Sequence, residues 1–133
     1  MSSSFFRPLL RGPQGKQVIR NMRNGRVIAD DLISAFDSKT RRVGLLHHQS
    51  FPQGAAMLIA PTNAVHTFFM RFPIDIAFIN REGTIVKVCH GVRPWRIAAA
   101  FRAYGVLELP AGTLAAAETV AGDVLAVVPA EQV

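Results

Sequence analysis

Apolar residues in this chain come in short runs broken by turn residues, and the spacing within the runs is mostly that of strands. Ile74 to Ile79 (IDIAFI) and Thr84 to His90 (TIVKVCH) flank Asn80-Arg81-Glu82-Gly83. Gly83 can take the positive φ that closes such a loop, so the pair is predicted to be a β-hairpin. Ala56 to Ala60 (AMLIA), Val106 to Leu109 (VLEL) and Val124 to Val128 (VLAVV) read as further buried strands. Arg26 to Asp37 is ambiguous and is taken as a strand. Ser38 to His48 is predicted to be a short helix with Val43, Leu45 and Leu46 on its apolar side, and Thr113 to cap a short alanine-rich helix over Leu114 to Thr119. Residues 91 to 104 are read as a connection stiffened by Arg93-Pro94-Trp95-Arg96.

Residues 66 to 83 (HTFFMRFPIDIAFINREG) break this simple pattern. In an extended stretch His66, Phe68, Met70 and Phe72 share one face, and Thr67, Phe69 and Arg71 the other. After Pro73 redirects the chain, Asp75, Ala77 and Ile79 alternate with Ile74, Ile76 and Phe78. Asp75 therefore sits where a core side chain is expected. An ionised carboxylate removed from water needs partners, and the candidate donors are Arg71, Arg93, Arg96, His66 and backbone amides. Two readings stand: a buried pair with an arginine that pins the Pro73 bend, or the floor of a polar pocket.

Short strands with few helices and no regular βα alternation predict one mainly β (β-rich α+β) domain. The 133 residues suffice for one core without disulfides, and Cys89 is the only cysteine. The formal charge of +6 is uneven: residues 1 to 26 hold six basic residues and no acid, while nine basic and nine acidic residues balance over 27 to 133. That divides the chain into a basic, partly disordered arm (1–26) and a single β-rich domain (27–133). The arm is a candidate for nucleic-acid or anionic-surface binding. Arg7, Pro8, Arg11 and Gly12 interrupt its apolar residues, so a secretory signal is not expected, no transmembrane run is found, and a cytoplasmic location is expected.

No phosphate-binding glycine loop, dinucleotide fingerprint or H-E-x-x-H pair occurs. No cofactor, metal or catalytic residue is assigned. The candidate site is a ligand-binding set of His66, Arg71, Asp75, Arg93, Trp95, Arg96 and Glu108, because paired guanidinium groups beside an aromatic ring suit an anionic or polar small ligand or a carboxylate-bearing peptide. A non-enzymatic binding or accessory module is the leading reading. The alternative is a hydrolase-like enzyme with His66 as base and Asp75 orienting it, but Ser34, Ser38 and Ser50 lie in no nucleophile elbow.

His66 to Arg71, Pro73 to Asn80 with Gly83, Arg93 to Arg96, Val106 to Gly112 and the Gly122-Asp123 turn together resemble the signature of domain-of-unknown-function family 192. Arg41 followed by Gly44-Leu45 is similar to another element of that family. The resemblance spans about residues 28 to 128 and implies a single pseudo-barrel of about six to eight short strands with one or two short helices. It supplies no activity. Phe69, Arg71-Phe72 and Glu118-Thr119-Val120 depart from the usual family pattern, and the secretory or lipoprotein leader of some members is not recognised here.

Overall fold

The computed structural model describes residues 5–10, 15–37 and 51–132. In chain order its elements are α1 (Arg7–Leu10), β1 (Gln17–Asn21), β2 (Val27–Ala29), β3 (Asp31–Ala35), β4 (Ala55–Ile59), β5 (Ala64–His66) and β6 (Ile74–Ile79). There follow β7 (Ile85–Val92), β8 (Ile97–Ala99), β9 (Gly105–Pro110), α2 (Thr113–Ala116), β10 (Leu125–Pro129) and a closing 3-10 turn (Ala130–Gln132).

Three of these strands, β4, β6 and β9, are buried at every residue. A strand apolar on both faces requires cover on both, and the molecule is layered accordingly. The central sheet has the order β3-β4-β9-β6-β7, antiparallel except where β3 runs parallel to β4. On one side Leu58, Ala77, Ile79, Leu107 and Leu109 pack with Ile19, Ile28, Leu125 and Val127 of a three-stranded sheet, β10-β1-β2. On the other, Met57, Ile74, Ile76, Phe78 and Val106 form a second core with Met70 and Ala100, against which Val65 and Ala98 of a two-stranded ribbon, β5-β8, are packed.

The mainly β class is as expected, and the described strands number ten, in three open sheets rather than a closed barrel. The hairpin forms as β6 and β7, and Gly83 has φ 92°. Arg26 to Asp37 is two strands in different sheets, because the amides of Asp30 and Asp31 both donate to the Gly54 carbonyl and turn the chain between layers. The connection at 91 to 104 contains β8, which the sequence did not reveal: three residues, IAA, carry little strand signal until β5 pairs with them. The helix expected at Ser38 to His48 lies outside the described residues.

Residues 17 to 26 do not form an arm. β1 runs between β10 and β2, in register from Gln17 opposite Pro129 to Asn21 opposite Leu125. Phe5 and Phe6 are 2% and 3% exposed in the first core. The basic side chains of β1 and the turn after it have partners within the domain: Arg20 donates to the Gly25 carbonyl, Arg23 pairs with Asp123 at 2.6 Å, and Arg26 pairs with Glu118 at 2.8 Å. Charge dominated the sequence pattern, but Val18 and Ile19 contribute apolar burial that a solvated extension would forfeit.

Candidate functional site

Six of the seven residues grouped by sequence separate into three places, and the seventh, Arg71, is exposed between β5 and β6. Asp75 is fully buried on the first-core side of β6 and pairs with no arginine. Its Oδ1 accepts the Gly91 amide at 2.8 Å, and its Oδ2 accepts the amides of Gly112 at 3.1 Å and Leu114 at 3.0 Å. The β6–β7 ladder is irregular here, since Ile74 faces Val92 and Ile76 faces Cys89. Two β7 residues thus stand against one on β6, a bulge that leaves an amide without a ladder partner. Asp75 takes that amide, and it also caps α2 from across the fold. Thr113, expected to cap, is instead the first residue of α2, and its hydroxyl has no partner.

Glu108 is 3% exposed and lies on β9 opposite Met57 and Ile76. Asp75 sits opposite Leu109 in the same pairing, so the two carboxyl groups are on opposite faces of the sheet. Burial pushes the Glu108 carboxyl up to about 7. Asp75, on the face of the sheet away from the β5–β8 ribbon, is no groove floor for His66, Arg93, Trp95 and Arg96, and no hydrogen bond between His66 and Asp75 occurs among the described residues. Both His66 and Arg71 are exposed.

His66, Arg93, Trp95 and Arg96 do come together, at one end of the β5–β8 ribbon, around a buried threonine. Thr67 is 1% exposed. Its hydroxyl donates to the Arg93 carbonyl at 2.6 Å and accepts the Arg96 amide at 2.9 Å. Its own amide donates to the Arg96 carbonyl, and its carbonyl accepts the amides of Trp95 and Met70. One residue therefore fixes the loops at 67 to 70 and 93 to 96 to each other.

Each loop carries an aromatic residue in the left-handed region, Phe69 at φ 67° and Trp95 at φ 67°. For a residue with a Cβ this conformation costs about 1–2 kcal/mol, so the clamp holds both against local preference. The positive φ also breaks the alternation expected for 66 to 72: Thr67 and Met70 turn inward, while Phe69 is 66% and Trp95 56% exposed. The rings form a continuous row. His66 stacks on Phe68 with centroids 4.8 Å apart, Phe68 on Trp95 at 5.6 Å, and Phe69 meets Trp95 edge-on at 4.6 Å. The His66 Nδ1 accepts the Phe68 amide at 3.2 Å. Arg93 and Arg96, both exposed, flank the row.

Phe68, Phe69 and Thr67 were present in the sequence pattern but not assigned to the site. A threonine between apolar residues has no signature that marks it as a clamp, because its partners lie 26 and 29 residues away.

A family model described as DUF192, Uncharacterized ACR, matches residues 19–127. The chain belongs to this family. The match begins at Ile19, inside β1, which places that strand within the family domain. Among solved structures, a Sinorhizobium meliloti 1021 protein provisionally named a transcription regulator is 25% identical with a TM-score of 0.74, over 83% of this chain and 91% of that one. A Novosphingobium aromaticivorans protein of unknown function is 18% identical with a TM-score of 0.71, over 83% of this chain and 82% of that one. No curated protein matches significantly.

Proposed function

We propose that this domain is a non-enzymatic binding module whose working surface is the aromatic row of His66, Phe68, Trp95 and Phe69 with Arg93 and Arg96. The observation that carries the reading is the pair of exposed aromatic residues held at positive φ by a buried threonine. Strained residues persist only where their surroundings over-determine them, and they cluster at functional positions. A preorganised row of rings beside guanidinium groups favours a partner with an anionic part and a flat or apolar part.

The expected small ligand or carboxylate-bearing peptide keeps its anionic half in this reading and loses its enclosed groove. Among the described residues, cavities of about 410, 290 and 400 Å³ are lined by residues outside this row. Hydrolysis by His66 and Asp75 is disfavoured because Asp75 directs its oxygens to three backbone amides. Arm-driven binding is disfavoured because Arg20, Arg23 and Arg26 have partners inside the fold.

Amide chemical-shift mapping tests the reading with three anionic probes: a glutamate- and phenylalanine-containing peptide, an oligothymidylate, and phosphatidylglycerol vesicles. Perturbations confined to residues 66–70 and 93–101 are expected with at least one probe. Perturbations centred elsewhere, or none with all three, would overturn it.

A further inference from the structure

The β5–β8 ribbon is largely apolar on both faces, and the described residues cover only one. Ala98 and Ala100 face inward to the second core. Alternating with them, Trp95, Ile97, Ala99 and Phe101 face outward, with Ile97 71% and Phe101 94% exposed. On the paired strand, exposed Ala64 lies opposite Ala99 and exposed His66 opposite Ile97. Phe101 stands at the tip of the turn that follows β8, where the Ala103 amide donates to the Ala100 carbonyl. Large apolar side chains grouped in this way on a surface mark a site of association.

The segments that build this face carry charge of one sign. Residues 83 to 107 contain Lys87, Arg93, Arg96 and Arg102 and no acid, and residues 54 to 74 contain Arg71 and no acid. The zero sum over 27 to 133 therefore hides two cationic segments, with the acids elsewhere in the sequence. A second copy of this chain would present the same cations, so self-association through this face is opposed.

We infer that the outer face of the β5–β8 ribbon docks on an anionic lipid surface. This inference rests on the binding face proposed above and names its partner. Trp95, Ile97, Phe101 and Phe69 enter the boundary between headgroups and acyl chains, while Lys87, Arg93, Arg96 and Arg102 meet the headgroups. Three features favour lipid. The side chains stand out from the surface rather than lining a cavity, and a fluid apolar phase needs no matching shape. Ile97, Ala64 and Ala99 add aliphatic area, which acyl chains accept and which the stacking of nucleobases on Trp95, Phe69 and Phe101 would not use. A tryptophan among apolar side chains, ringed by basic ones, suits the membrane–water boundary, where anionic lipid adds attraction.

Trp95 is the only tryptophan in the chain, so its emission reports directly on the face. The full chain is mixed with vesicles of phosphatidylcholine alone and of phosphatidylcholine with phosphatidylglycerol, at low and high salt, and its emission and co-sedimentation are measured. A blue shift and co-sedimentation with the anionic vesicles are expected, weakening with salt. The double substitution Ile97→Ser with Phe101→Ser removes two exposed side chains, and it should reduce binding roughly tenfold or more while leaving the melting temperature unchanged.

Equal binding to neutral vesicles, or undiminished binding by the double variant, overturns the inference. Perturbation of the 93–101 amides by the peptide or oligothymidylate without any response to anionic vesicles also overturns it, and leaves the binding face standing. Silence with all probes removes both.

Discussion

A carboxylate enclosed between apolar strands is tolerated when donors meet it, and Asp75 meets three. Asp75→Ala should cost about 2–3 kcal/mol in urea denaturation, since it leaves the buried Leu114 amide and the partly buried Gly91 and Gly112 amides without their acceptor. Asp75→Asn should recover only part of this, because one oxygen becomes a donor facing donors. The anomaly of Asp75 was visible in the sequence; its partners were not, because Gly91, Gly112 and Leu114 are 16, 37 and 39 residues away. Trp95 makes a different prediction. Asparagine tolerates the left-handed region better than alanine, so Trp95→Asn should be more stable than Trp95→Ala by about 0.5–1 kcal/mol, although both remove the ring. Equal stabilities would contradict the strain at this position.

At the scale of elements, turns and edges control what the strands can do. A Cβ on Gly83 would collide with the Leu125 carbonyl and the Phe5 ring, and φ 92° disfavours any side chain there. Gly83→Ala should therefore lower the unfolding midpoint strongly, by about 2–4 kcal/mol of stability. α1 is too short to persist alone and is held by the two residues before it. Phe6 meets Phe5, Phe36 and Tyr104 in edge-on contacts at 4.9, 6.2 and 5.1 Å. Phe6→Ala should cost about 3–5 kcal/mol in the same assay, whereas a solvated arm would lose almost nothing. The hairpin and the fully buried strands were legible because their signals are local. β5 and β8 were not, since each is three residues long and exists through its pairing with the other.

For the whole molecule, two carboxyl groups shape the response to pH in opposite directions. The Arg23 guanidinium, with the Val120 amide and the Asn21 side chain, holds Asp123 well below the usual carboxylate range. Its stabilisation is present above the unfolded value of 3.8 and is lost as pH falls. Glu108 does the reverse. Between its unfolded value of 4.5 and about 7, the native state keeps a proton that the unfolded chain has released. Stability therefore falls as pH rises through that window, by about 3 kcal/mol in all. Denaturant midpoints should peak at about pH 4–5, and Glu108→Gln should flatten the decline between there and neutrality. A Glu108→Gln curve parallel to the wild type would show that Glu108 ionises freely in the folded protein.

The sequence by itself determined that this chain is a mainly β domain of family 192, with its hairpin, its buried central strands and a carboxylate that needed donors. These follow from alternation and turn chemistry over a few neighbouring residues. Only the tertiary structure decided that residues 17 to 26 belong to the domain, that Asp75 caps a bulge and a helix, and that the grouped polar residues divide between a core and a surface. It also brought Phe69 and Trp95 together. Each of those outcomes depends on pairings between distant segments, and the positive φ that turns an aromatic residue outward is imposed by a clamp that no local pattern encodes.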